Sequence, residues 1–246
     1  MKATAIIMGM PVTVEIIGPA ATQAEIQKIF GYFRGVDEKF STYKNGSEIS
    51  KINRNELTEK DYSPEMREVL KLSAEINGQS GGFFNIRRPD GKIDPSGLVK
   101  GWAINNAAGI SVKDGFENFY VEAGGDIEAR GVNAENQPWT VGIKNPFNQK
   151  EIIKVAKISN AGLATSGTYI RGQHIYNPKN PGAPITDIVS LTVIGPNVYQ
   201  ADCFATAAFA MGREGIYFIE KFPGLEGYMV DKNGIGTETT GFKKYA

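Results

Sequence analysis

The segment Val198–Gly212 reads VYQADCFATAAFAMG. Its Ala- and Phe-rich run predicts a helix stopped by Gly212, and a helix with almost no polar face must be buried by the rest of the chain. Inside it stand Asp202 and Thr206. A spacing of four residues puts both on one side of the helix. A carboxylate on a buried helix is costly unless something neutralises it. A carboxylate and a hydroxyl on one face are hard oxygen donors that suit Mg²⁺, open to a phosphate-bearing substrate.

A chain of 246 residues is long enough to enclose such a helix in a real core. The formal net charge is zero and no basic block occurs, which argues against electrostatic binding of nucleic acid. No apolar run reaches membrane-spanning length, so no membrane span is expected. Met1–Glu15 alternates like a strand and lacks a leader signature, so a cytoplasmic location is expected, although a chain whose leader had been removed would read the same. Cys203 is the only cysteine, which leaves no intramolecular disulfide and no cysteine metal cluster. Its place in the apolar helix predicts a packed, inert thiol.

The pattern predicts a strand over Thr4–Ile17, bent at Gly9, and a helix over Ala21–Val36 with Thr22 as its cap. Phe40–Asn55 reads as polar turns. Ser63-Pro64 opens a helix that runs to Asn77. A helix follows Asp94-Pro95-Ser96-Gly97 within Ile93–Gly109, and Phe119–Ala123 is a short strand. Trp139–Lys144 and Glu151–Ile158 read as paired strands, and Ile188–Ile194 as a strand feeding the apolar helix. A last helix over Glu214–Phe222 and a strand over Gly227–Val230 finish the chain. Helices and strands mix without a regular βαβ rhythm, which predicts an α+β fold, one two-lobed domain over residues 1–246 with mixed or antiparallel sheets flanked by helices.

Three segments suit backbone contact with an anion. Gly97-Leu-Val-Lys100-Gly101 begins a helix, where free amides and a nearby ammonium can hold a phosphate; the pattern equally fits an exposed lysine. Gly124-Gly125-Asp126 follows a strand and allows close approach of a ligand, with Asp126 as an acceptor for a ribose or adenine group, or forms a plain turn. Gly162–Thr168 brings small residues and three hydroxyls. His174 is the only histidine, structural or a general base near a phosphate.

Taken in order, the motifs resemble the ApbE family, the FAD:protein FMN transferases. They are Met8-Gly9-Met10, Phe40-Ser41-Thr42-Tyr43 with Ser47-Glu48, and Asp94-Pro95-Ser96-Gly97-Leu98-Val99-Lys100-Gly101. Then come Ala123-Gly124-Gly125-Asp126-Ile127, Ala164-Thr165-Ser166-Gly167, His174 and Pro178, and Ala201-Asp202 with Ala205-Thr206. The resemblance implies an FAD lying across these motifs and Mg²⁺ on its pyrophosphate, held by Asp202, Thr206 and the backbone carbonyl of Gly162. It implies a flavin nucleotide site lined by Met8, Tyr43, Ser47, Ser96, Gly97, Lys100, Gly124, Gly125, Asp126, Thr165, Thr168 and His174, with His174 and Asp202 catalytic. The implied activity is Mg²⁺-dependent transfer of FMN from FAD to a threonine hydroxyl of a target flavoprotein, with release of AMP. Two other activities fit the same motifs: an FAD pyrophosphatase making FMN and AMP, and a non-catalytic FAD-binding protein. Two positions depart from the family's habit: Asn177 stands where Asp is common, and Glu122 where Asn is common.

Overall fold

Met8 and Gly9, at φ of 55° and 72°, turn the first apolar run back on itself. The expected single bent strand is therefore a hairpin, β1 (Lys2–Ile7) and β2 (Met10–Ile16), paired antiparallel from Lys2↔Glu15 to Ile7↔Met10. A methionine held in the left-handed region is uncommon and marks a constrained turn.

The structure is a computed structural model that describes residues 1–168 and 175–246. After the hairpin come α1 (Gln23–Phe40), α2 (Glu48–Asn53), α3 (Pro64–Gln79) and α4 (Ser96–Lys113). Then follow β3 (Phe119–Ala123), β4 (Asp126–Arg130), β5 (Trp139–Asn145), β6 (Asn148–Ile158), β7 (Ala161–Gly167) and β8 (Ile188–Gly195). The chain finishes with α5 (Val198–Ala210), α6 (Gly215–Ile219), β9 (Glu226–Asp231) and β10 (Gly236–Glu238). Among the described residues, eight strands form one sheet in the order β1-β2-β3-β4-β7-β8-β9-β10, and β5 and β6 form a separate hairpin. Every named pairing is antiparallel. The fold is α+β, as the mixed pattern of elements implied.

The helix starts follow local chemistry. Ser63 accepts the Met66 N–H and Pro64 takes the first position of α3, where its missing N–H does no harm. Thr22 and Glu25 form a capping box at α1. The helix α2 lies inside the stretch read as turns. Six residues are too few to show a 3.6-residue period, and Ser47 starts it by accepting the Ser50 N–H.

Strand alternation divides the core. Ile127, Ala129, Ala161 and Leu163 pack with Trp139, Ile143, Ala156 and Ile158 of the β5–β6 hairpin and with Phe242. The opposite side of the sheet is covered by helices. There α5 is buried along almost its whole length, as its composition demanded. The contact of α4 with α5 is close because Gly101 has no side chain: a Cβ there would lie 2.7 Å from Asp202 Cβ and 2.9 Å from the Val198 carbonyl oxygen. No helix among the described residues is long and apolar enough to cross a membrane.

Candidate active site

The turn at Met8–Gly9, the start of α4, the Gly124–Gly125 turn, the end of β7 and the middle of α5 converge on one cavity of about 910 Å³. That is near the upper end for a small-molecule site. Ten of the sequence candidates line it: Met8, Ser96, Gly97, Lys100, Gly124, Gly125, Asp126, Thr165, Asp202 and Thr206. They come from five separate elements, so only the tertiary fold brings them together.

The centre of the site is a charge ladder. Lys100 Nζ lies 2.5 Å from Asp126 Oδ2 and 3.8 Å from Asp202 Oδ1. Both carboxylates are buried. Asp126 Oδ1 accepts the Thr165 N–H at 3.0 Å, and Asp202 Oδ2 accepts the Gly101 N–H at 2.9 Å. The ammonium read from sequence as a phosphate ligand thus also pairs with Asp126 and lies near Asp202, which offsets part of the cost of burying the two carboxylates. Asp126 Oδ2 is buried against the Lys100 ammonium, so this carboxylate acts on the site through Lys100.

Thr206 stands one turn beyond Asp202, with its Oγ1 3.4 Å from Ser166 Oγ. A Cβ on Gly97 would lie 3.4 Å from Thr206 Cγ2 and 3.8 Å from Thr206 Oγ1, so the main chain at the start of α4 faces this hydroxyl. Among the described residues no three His, Cys, Asp or Glu side chains gather into a metal cage. One carboxylate and one hydroxyl on an open wall are the donor set of Mg²⁺, which keeps waters and binds substrate phosphates. The residues present fit that ion.

Four candidates stand elsewhere. Gly162 is not in the cavity wall: it pairs with Glu128 and Gly195 in the sheet, and a Cβ on it would lie 1.9 Å from Val198 N. Val198 is eight residues from Thr206, roughly 12 Å along the helix axis. The glycine admits the start of α5 onto β7, and the main chain that reaches Thr206 is that of Gly97. Tyr43 is 96% exposed and does not line the cavity. The Ser47 hydroxyl is committed to Ser50 N–H and the Ser41 carbonyl oxygen as the cap of α2. Thr168 ends the described part of its segment beyond the lining residues. His174 lies outside the described residues.

The two departures have local explanations. Glu122 lines the cavity and its Oε1 accepts the Gly125 N–H at 2.7 Å, bracing the diglycine turn. Asn177 Oδ1 accepts the Lys179 N–H at 2.9 Å, a role aspartate fills equally. Cys203 is buried, and burial pushes its thiol well above the usual range, so it stays protonated and inert.

Sequence reasoning missed Glu128. It is fully buried on β4, Oε1 lies 2.6 Å from Arg130 Nη2, and Oε2 accepts the Val198 N–H at 2.6 Å. Two acids two residues apart after a diglycine were its signal. Burial, opposed by Arg130, pushes its carboxyl up to about 7. The native state then binds this proton more tightly than the unfolded chain, so stability is present at low pH and is lost as pH rises through about 7. Between pH 6 and 8 the loss is about 1 kcal/mol. The melting temperature should fall by roughly 2–4 °C over that interval for this group alone. Subtracting the melting curve of Glu128→Gln at each pH isolates the effect, and equal pH slopes for both proteins would contradict it.

The ApbE family model matches residues 8–88 and 85–229. A FAD:protein FMN transferase of Klebsiella pneumoniae is 32% identical over 174 residues, covering 67% of this chain and 49% of that protein. One of Vibrio cholerae is 26% identical, covering 91% and 82% respectively. The chain spans about half the length of the first curated relatives it matches. Among solved structures, the flavin transferase ApbE from Vibrio cholerae superposes with a TM-score of 0.87 at 23% identity, covering 100% of this chain and 99% of that one. The ApbE protein of Thermotoga maritima superposes with 0.88 at 22%, covering 100% and 98%. These two likenesses show the fold, and the matched family model, over most of the sequence, shows that this chain belongs to the ApbE family.

Proposed function

We propose that this chain, acting as one domain over residues 1–246, transfers FMN from FAD to a threonine hydroxyl of a target flavoprotein and releases AMP. The observation that carries the reading is the placement of Asp202 and Thr206 beside the Lys100–Asp126 pair on the wall of one large cavity. Mg²⁺ held by Asp202 and Thr206, with the Gly97 main chain beside them, would offset the charge of the FAD diphosphate. Lys100 orients the phosphates as a nearby ammonium, while the Ser96, Leu98 and Val99 amides at the start of α4 are already taken by Asp94 and the Pro95 carbonyl oxygen. Asp126 pairs with Lys100 and accepts the Thr165 N–H, which holds the ammonium in place at the cavity wall. The acceptor oxygen bonds to the FMN-side phosphorus, the bond from that phosphorus to the AMP oxygen breaks, and the hydroxyl proton leaves to a base, the role we assign to His174, whose alternative is to position the flavin. Positioning and charge neutralisation supply most of the acceleration in such a site.

Co-expression with candidate threonine-bearing flavoproteins tests the reading. Intact-mass spectrometry should show one FMN-sized gain, and peptide mapping should place it on one threonine. No gain on any candidate, with FAD bound and Mg²⁺ present, contradicts it. A second assay separates transfer from hydrolysis. Incubated with FAD and Mg²⁺ alone, the protein should release AMP at under roughly a tenth of the rate seen with acceptor. Fast AMP release without acceptor identifies a pyrophosphatase instead.

A further inference from the structure

We infer that Glu128 is a positioning residue for Asp202: by holding the first amide of α5 against β4, it sets where the carboxylate one turn later stands. This rests on the reading above that Asp202 works at the FAD site.

Glu128 and Asp126 lie two apart on β4, so both side chains leave the strand on the helix-covered face. Asp126 reaches α4 through Lys100, and Glu128 reaches α5 through the Val198 N–H. The helices α4 and α5 are themselves joined where Gly101 N–H donates to Asp202 Oδ2. The result is a closed circuit: β4 to α4 by Asp126, α4 to α5 by Asp202, and α5 back to β4 by Glu128. Gly162, the cross-strand partner of Glu128, leaves the space in which Val198 approaches the sheet. Because β4 reaches α4 through the long Lys100 side chain, the direct bond from Glu128 to the Val198 amide is the link whose length sets the axial position of α5.

Helix capping alone does not explain this residue. Asn197 already accepts the Gln200 N–H at 2.9 Å as the cap of α5. A fully buried carboxylate paired with Arg130 is a poor source of net stability, since desolvation offsets most of the attraction. What it adds is a second, rigid tether from the strand that carries Asp126 to the helix that carries Asp202.

The test compares Glu128→Asp, which keeps the charge but shortens the reach, with Glu128→Gln, which keeps the reach and an acceptor but drops the charge. Binding of FAD to the full chain is followed by flavin fluorescence as Mg²⁺ is titrated. Glu128→Asp should raise the half-saturating Mg²⁺ about tenfold, the usual scale for residues that orient a metal ligand. Glu128→Gln should stay within about threefold of wild type, because Val198 keeps its partner. Hydrogen exchange without ligand should show faster exchange at the first turn of α5 in Glu128→Asp than in Glu128→Gln. A Glu128→Asp titration matching wild type, or a Glu128→Gln titration shifted as far as that of Glu128→Asp, overturns the inference. If wild type itself shows no Mg²⁺-dependent FAD binding, the site reading fails instead. The exchange comparison still judges the tether in that case: equal first-turn exchange in the two variants overturns it.

Discussion

Asp202→Asn should lower FMN transfer by roughly 10²–10³-fold while leaving the fold in place, the range seen when a charge-stabilising group is removed from an active site. Asparagine has nearly the same volume, and its amide oxygen can still accept the Gly101 N–H that Asp202 Oδ2 accepts at 2.9 Å. What disappears is the negative charge. Lys100 keeps its tighter partner, Asp126, at 2.5 Å, so the charge ladder is not left with an unpaired cation. The loss should therefore fall on the divalent ion and the diphosphate rather than on stability. Thermal unfolding should stay within a few degrees of wild type, and raising Mg²⁺ should recover part of the rate. Transfer at the wild-type rate by Asp202→Asn would remove Asp202 from the chemistry.

Gly162→Ala should destabilise the protein by about 3 kcal/mol or more, the upper end of overpacking effects. A methyl group there would stand 1.9 Å from Val198 N, 2.3 Å from Asn197 C and 2.3 Å from Val198 Cα. All three are backbone atoms, so no rotamer change relieves the overlap, and either β7 or the start of α5 must move. A fall in melting temperature of roughly 6–12 °C is expected for a chain of this length. Gly109→Ala is the control. It lies inside α4 with nothing within 4 Å of its Cβ position, so alanine should be neutral or stabilising by up to about 1 kcal/mol. A Gly162→Ala protein that melts like wild type would contradict the close approach of α5 to β7.

The sequence exposes features in which spacing alone becomes a surface. The Ala/Phe run of α5 announces burial. The four-residue step from Asp202 to Thr206 announces a shared face, because helix geometry converts one into the other. The start of α3 is readable for the same local reason. The two central strands β4 and β7 are not readable as strands. Asp126, Glu128 and Arg130 make β4 look like an exposed charged stretch, although both acids are buried and bonded across the fold, Asp126 to Lys100 and Glu128 to the Val198 N–H. Ala161–Gly167 is too rich in small residues to carry a strand signal. The site is legible to the same degree. Its motifs point to one cavity, yet the bonds that tie it together span long separations that no periodicity encodes, among them Lys100 to Asp126 and Gly101 to Asp202. From sequence, Asp202 had no visible partner; the fold brings it Lys100. Motif matching also placed Tyr43, Ser47 and Gly162 at the ligand, and the geometry gives Ser47 and Gly162 structural tasks and leaves Tyr43 in solvent.

The most direct measurement of the central claim is an anomalous difference map from crystals soaked in FAD with Mn²⁺ standing in for Mg²⁺. A single strong peak is expected within bonding distance of an Asp202 carboxylate oxygen and Thr206 Oγ1, about 2.0–2.3 Å from each, touching the FAD diphosphate. A diphosphate bound in the cavity with no ion against those two oxygens, or an ion held elsewhere, would contradict it.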